Sequence, residues 1–259
     1  MSKDEVLHRR KCKSQAMKNE SFNLHQRTKS ASLESSKKPF FNSHQRTKSA
    51  SLESLKYTYR EERLNFYTHL VALVLALIGS VVMLHKAFLT NESTYIFVYS
   101  LFSVTLICVF ASSCFYHFVQ DEKIKLIARK LDHISIYFFI AVINTALVLL
   151  AVQNLLGLII GIASWIICIL GVIQNLKNNS KKRIQLSLYI LACIIFLPLF
   201  FFLNKTTLIF LLIAGLLNSI GLIFYVKKNK EFTHTIWHIF SFAACIFDYL
   251  AVFYAGQLV

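Results

Sequence analysis

From about residue 66 onward, the chain is a series of apolar runs of about 20 residues each, separated by short polar stretches. A run of that length crosses the hydrocarbon core of a bilayer as a helix. With no water in that core, the backbone must satisfy its own polar groups, so only helices and closed barrels span it. The runs are continuously apolar instead of alternating, which argues against a barrel. The sequence therefore predicts an all-α, polytopic membrane protein, a seven-transmembrane helix bundle. The expected spans are 66–85, 95–118, 131–152, 155–175, 184–203, 207–226 and 234–256. Pro198 predicts a kink in the fifth span. Gly215, Asn218 and Gly221 in the sixth suit close helix packing.

Orientation follows from Lys and Arg in the flanks. The first 63 residues carry fifteen, and the first loop has only Lys86. The second loop has Lys123, Lys125, Arg129 and Lys130, and the third, at residues 153–154, has none. The fourth has Lys177, Lys181, Lys182 and Arg183, the fifth only Lys205, and the sixth Lys227, Lys228 and Lys230. The alternation holds in every loop, predicting a cytoplasmic N-terminus and an external C-terminus. Most of the +15 net charge thus lies in the tail and on one set of loops, which does not require a nucleic-acid partner. The six cysteines show no C-x-x-C spacing. Five of them fall in or beside apolar runs and read as small core residues.

Residues 1–55 are polar, basic and Ser-rich, and are expected to form a disordered cytoplasmic tail, with 56–259 as the membrane domain. No apolar stretch follows the early charges, as a secretory signal would require. Residues 22–35 return as 41–54 with one difference, Leu24 against Ser43. Each copy places a serine three residues after an arginine, Ser30 after Arg27 and Ser49 after Arg46, a pattern that basophilic kinases favour. Phosphorylation there would partly neutralise the tail and release it from an anionic lipid surface. A solvated basic tail touching the membrane explains the same residues without a kinase.

The unusual polar residues gather at one depth. The last span opens with His234 and His238, four residues apart and so on one helical face. Ser113 and His117 share a face at the inner end of the second span, and Asp132 lies in the first turn of the third. Glu62, Asn65 and His69 share a face where the first begins. Titratable groups inside a span are costly and mark functional sites. The chemistry fits zinc: three neutral imidazoles leave a fourth position open, as in hydrolytic sites, and the ion brings a water's pKa to about 7. Asp132 can take the proton or instead pair with Lys130 or Arg129. Ser113 can bond a developing oxyanion or its own helix carbonyl. Glu62 also suits the acidic start of a helix. Asp248, deep in the last span, has no evident partner.

Glu62-x-x-Asn65-x-x-x-His69, Ser113-x-x-x-His117, Leu131-Asp132-His133 with Tyr137 after it, and His234-x-x-x-His238 resemble the motifs of the hemolysin III family. That family belongs with the progestin and adipoQ receptors and is distantly similar to alkaline ceramidases. The resemblance covers about residues 57–259. It implies a seven-helix bundle with zinc near the cytoplasmic leaflet, held by His117, His234 and His238. It implies Asp132 and Ser113 beside the zinc-bound water, and a lipid amide as the substrate class. Two positions depart from the family pattern. Val142 to Ala146 contains no proline, which implies a straighter third span, and Asp248 stands where a further histidine is common.

Three functions are compatible with these residues: a zinc-dependent lipid amide hydrolase, a receptor or scaffold with structural zinc, and a cytolysin. The spans lack the recurring polar stripe that would line a pore. The predicted orientation is open to a direct test. A reporter fused after residue 153 should be active only outside the cytoplasm and one fused after residue 180 only inside; the reverse pattern would invert the topology.

Overall fold

The structure, a computed structural model, describes residues 57–177, 181–227 and 231–256, apart from the side chain of Lys182. The tandem repeat, Ser30, Ser49 and Cys12 lie outside the described residues. The described chain is an all-α bundle: α1 (Tyr59–Thr90), α2 (Ser93–Phe118), α3 (Glu122–Ala151), α4 (Leu155–Leu176), α5 (Lys182–Ile194), α6 (Lys205–Val226) and α7 (Thr233–Ala255). A 3-10 segment, Leu197–Phe202, follows α5. Among the described residues, seven segments are long and apolar enough to cross a membrane, the fifth being Arg183–Phe202. The protein is an integral, multi-pass membrane protein.

The helices start where short polar residues can take up their free N–H groups, which find no water in hydrocarbon. Thr58 caps α1 in a capping box with Glu61. Asp121 caps α3, Asn154 caps α4 and Asn204 caps α6. α3 packs against α2, α4, α5 and α7, while α7 packs against α1, α3 and α6. The core lies between these helices, with Tyr99, Phe102, Met83 and Leu147 fully buried.

α7 is pinned at both ends. The Phe232 N–H, just before its first turn, donates to Glu61 Oε1 at 2.8 Å. At the far end the last carbonyls, orphaned by the end of the helix, accept from three other elements. Lys86 Nζ (2.6 Å) and the Tyr99 hydroxyl (3.0 Å) donate to Phe253 O. Asn204 donates to Tyr254 O at 2.9 Å and Tyr95 to Gly256 O at 2.5 Å. Both the depth and the rotation of α7 are therefore fixed.

Three expectations are corrected. The fifth span breaks instead of kinking: α5 ends at Ile194 and Pro198 sits in the first turn of the 3-10 segment. Proline has no N–H to continue the α ladder, and Asn144 Nδ2 approaches the Ala192 carbonyl beside the break at 3.5 Å. In α6 only Gly221 makes a close approach, where an added Cβ would meet the Phe240 Cβ at 3.0 Å. Gly215 and Asn218 face outward, and Gly215 has nothing within 4 Å of that position. Among the five described cysteines, Cys108 and Cys193 lie on the outer face instead of in the core. Lipid is as apolar as the core, so a small apolar residue is equally at home on either side.

Gly171 permits a close contact between α3 and α4. A Cβ there would stand 2.5 Å from the Tyr137 ring. That ring cannot swing away, being stacked on Tyr189 at 4.0 Å with its hydroxyl on Gln185 O at 2.9 Å. Gly171→Ala should destabilise the bundle by about 1–3 kcal/mol. Gly215→Ala should leave it unchanged or stabilise it by about 0.5–1 kcal/mol. Denaturation by SDS in mixed micelles distinguishes the two; equal effects would contradict this assignment of faces.

Candidate metal centre

The centre is assembled where α1, α2 and α7 meet at one end of the bundle. Glu61 serves two helices: one carboxylate oxygen accepts from the Thr58 N–H at 2.9 Å, and the other accepts from Phe232. Phe232 has φ 62°, the left-handed turn from which α7 departs. The starts of α1 and α7 are thereby tied together.

Glu62 follows and is buried, so its charge must be paired. Its Oε1 lies 2.9 Å from Lys125 Nζ on α3 and its Oε2 lies 2.7 Å from His117 Nδ1 on α2. His117 donates to the carboxylate through Nδ1, so Nε2 carries the lone pair. That Nε2 is buried and has no hydrogen-bond partner among the described residues. A histidine held by a carboxylate through one nitrogen and bare at the other is the usual form of a metal ligand.

The other two nitrogens come from one face of α7. His234 Nε2 and His238 Nε2 approach to 3.0 Å. Ligating nitrogens of His117, His234 and His238 all lie within 4.8 Å of one another. Three converging imidazoles, two of them buried, form a donor set suited to zinc and other imidazole-binding ions. The residues present therefore fit a metal ion.

The other residues singled out from the sequence lie around this cluster in different ways. His69 stacks on the His238 ring with centroids 3.8 Å apart, and among the described residues neither of its nitrogens has a hydrogen-bond partner. Asn65 Oδ1 accepts from Thr235 Oγ1 at 2.6 Å, a second tie between α1 and α7. Ser113 is buried one turn before His117, and among the described residues its Oγ finds no hydrogen-bond partner, its own helix carbonyls included. Asp132 is buried about three turns into α3 and not in its first turn as expected, because that helix starts at Glu122, ahead of the apolar run. Neither Lys130 nor Arg129 forms an ion pair with it, and His133 Nδ1 lies 3.9 Å from its Oδ2. His133 Nδ1 donates to the Arg129 carbonyl at 2.7 Å. Asp248 is buried outside the cluster.

Three contributors escaped the sequence reading. Tyr57 stacks on His234 at 4.7 Å and reaches His117 at 6.0 Å. Burial holds its phenol well above its ordinary pKa, so it caps the site as a neutral ring. Lys125 signalled only loop charge, yet it neutralises Glu62. Glu61 was detectable: Thr58-x-x-Glu61 before an apolar run is a capping-box signature.

The Glu62 arrangement yields a measurable consequence. Glu62→Gln keeps an acceptor for His117 but removes the charge. Zinc affinity, titrated calorimetrically on the purified protein, should fall by about 10–100-fold while helical content by circular dichroism is unchanged. Unaltered affinity would mean that Glu62 does not support a ligand.

Comparison with known proteins agrees with this architecture. The chain is 28% identical over 190 residues to "Hemolysin-3 homolog" of Bacillus subtilis (strain 168), covering 71% of this chain and 89% of that protein. It is 25% identical over 186 residues to "Hemolysin-3" of Bacillus cereus, covering 70% and 85% respectively. No solved structure matches it significantly. The family described as "Haemolysin-III related" matches residues 57–249, which include the whole His cluster and both of its carboxylate anchors, and the chain belongs to that family.

Proposed function

We propose that the protein is a zinc-dependent hydrolase of a lipid amide, ceramide-like in class, with zinc held by His117, His234 and His238 and the N-terminus in the cytoplasm. The observation that carries this reading is the buried, unpartnered His117 Nε2, oriented by Glu62 toward two further imidazoles. Bound zinc would supply Lewis acidity and allow a water to ionise near neutral pH.

The chain's own residues divide the remaining work. Asp132, which lacks a Lys or Arg ion pair, takes the proton from the attacking water and returns it to the leaving amine. Its charge is felt at the Tyr57 phenol, which in turn covers His234. The Ser113 hydroxyl, with no other partner, donates to the oxyanion that develops on the amide carbonyl. The C–N bond then breaks to give a fatty acid and an amine. Glu62, Asn65 and Thr235 hold α1 against α2 and α7, and Tyr57 limits water entry.

A structural role for the metal is the rival reading. It is favoured by the number of helices meeting at the cluster, because α1, α2 and α7 all contribute to it. The name hemolysin, which both relatives carry, points to lysis, a third activity. Metal content separates the first two. Purified protein should carry about one zinc per chain, and a His234→Ala/His238→Ala double variant should carry none. Asp132→Asn should retain the metal and lose about 10²–10⁴-fold in turnover of an N-acyl lipid amide. Full zinc content with no hydrolysis of any ceramide or acyl amide would overturn the hydrolase. Global unfolding on zinc removal would favour the structural role.

A further inference from the structure

We infer that Arg129 forms a headgroup subsite: its guanidinium binds an oxyanion, a phosphate or a carboxylate, carried on the amine half of the lipid amide. The inference rests on the lipid-amide reading and adds to it which amides the centre selects. So far only the Arg129 backbone has had a role, its carbonyl accepting from His133. The side chain is half-buried, and among the described residues it forms no ion pair and no hydrogen bond.

The helical register puts this guanidinium on the working face of α3. Lys125, Arg129 and Asp132 stand at i, i+4 and i+7 and share one face. That face is turned toward the metal centre, because Lys125 Nζ reaches Glu62 Oε1 at 2.9 Å and Asp132 is buried. Arg129 lies between them, about 4.5 Å from Asp132 along the helix toward the start of α3. A second observation comes from the other side of the mouth. Burial raises the pKa of the Tyr57 phenol, and the positive charge of Arg129 opposes that rise. The same ring stacks on His234 with centroids 4.7 Å apart. Arg129 therefore stands within electrostatic reach of the ring that covers a metal ligand.

The neighbouring cations on α3 are committed elsewhere or face away. Lys125 is neutralised by Glu62, and its Nζ also donates to the carbonyls of Tyr116 and Val119, each at 3.1 Å. Lys130 Nζ donates to Leu176 O at 3.3 Å, at the end of α4, and Lys123 is exposed. A guanidinium drawn partly out of water and left without a counter-ion is costly. It is permanently charged, so it cannot escape that cost by giving up its proton. An oxyanion arriving with the substrate would take the planar fork of N–H donors in bidentate fashion.

Position along α3 assigns the anion to the amine half. Asp132 is the group that returns a proton to the leaving amine, and Arg129 lies about one turn further toward the polar end of the helix. An anionic group about three or four bonds from the amide nitrogen bridges that interval. A neutral head leaves the guanidinium unpaired, and a cationic one is repelled by it.

The test uses full-length protein in nanodiscs of zwitterionic lipid and three N-acyl amides with the same acyl chain. Their amine halves end in a hydroxyl, a phosphate or a carboxylate. Dissociation constants are read by displacement of a fluorescent N-acyl amide, and cleavage is followed separately by amine release. At least one of the two anionic amides should bind about tenfold more tightly than the neutral one. In Arg129→Gln that ratio should fall to about one, and in Arg129→Lys it should fall in part, because a point charge replaces the fork. Lys123→Gln removes an equal charge from the same helix and should leave the ratio unchanged. If Arg129→Gln does not fold, as judged by size exclusion and circular dichroism, Arg129→Lys decides alone. A ratio near one in the unaltered protein, a ratio that survives Arg129→Gln, or an equal loss in Lys123→Gln would overturn the subsite. So would displacement of the probe by inorganic phosphate or by the free fatty acid with the same dependence on Arg129, because the occupant would then be a soluble anion or the product. Preferential binding of an anionic amide with no cleavage of any of the three would support the subsite and overturn the hydrolase. Cleavage of all three with equal affinities would do the reverse.

Discussion

A carboxylate buried at the end of a membrane bundle must be paired, and Glu62 is paired twice. Its contacts to His117 Nδ1 and Lys125 Nζ join α1, α2 and α3 around one charge. Leaving either partner out would strand an ion in a poorly solvated site. The same contact decides which nitrogen of His117 is bare. The geometry of the cluster therefore follows from the pairing of Glu62 as much as from the three histidines. The adjacent Glu61 fixes the start of α7, and Lys86, Tyr95, Tyr99 and Asn204 fix its end. A helix held at both ends cannot rotate, so His234 and His238 stay turned toward His117.

The spans and the principal polar groups were legible in the sequence because each rests on a strong local rule. Hydrocarbon thickness sets run length, and helical periodicity puts His234 with His238 and Glu62 with Asn65 and His69. The rotation of most helices about their own axes was not legible. In water, an amphipathic pattern tells the buried face from the exposed one. In lipid both faces are apolar, so Gly215, Asn218, Cys108 and Cys193 gave no sign that they face outward. The first helix also begins at Tyr59, seven residues before the apolar run suggested, because a capping box, not hydrophobicity, starts it.

Long-range partners were illegible for a different reason. Lys125 reads as one of several loop cations, and only the fold brings it to Glu62 across 63 residues of chain. Tyr57 precedes the first span and carries no motif, yet it covers His234. Pro198 was visible as a perturbation, but whether a proline kinks or breaks a helix depends on what satisfies the freed backbone groups. Here Asn144, itself held by Nδ2 to Ser164 Oγ at 2.8 Å, lies against the Ala192 carbonyl, and the chain continues as a 3-10 segment.

The residues that build the polar end also define what lies beneath it. Moving inward by one turn at a time, α1 passes from Glu62, Asn65 and His69 to Ala72, Ala76 and Gly79. α7 passes from His234 and His238 to Phe242 and Tyr249, and α2 from His117 to Phe110 and Leu106. On each helix a single face changes from hydrogen-bonding groups to hydrocarbon within about one or two turns. A ligand that satisfies both halves must itself be polar at one end and apolar along the rest. The lipid amide of the proposed function has that form. The succession of side chains along three helices thus constrains the ligand independently of the metal.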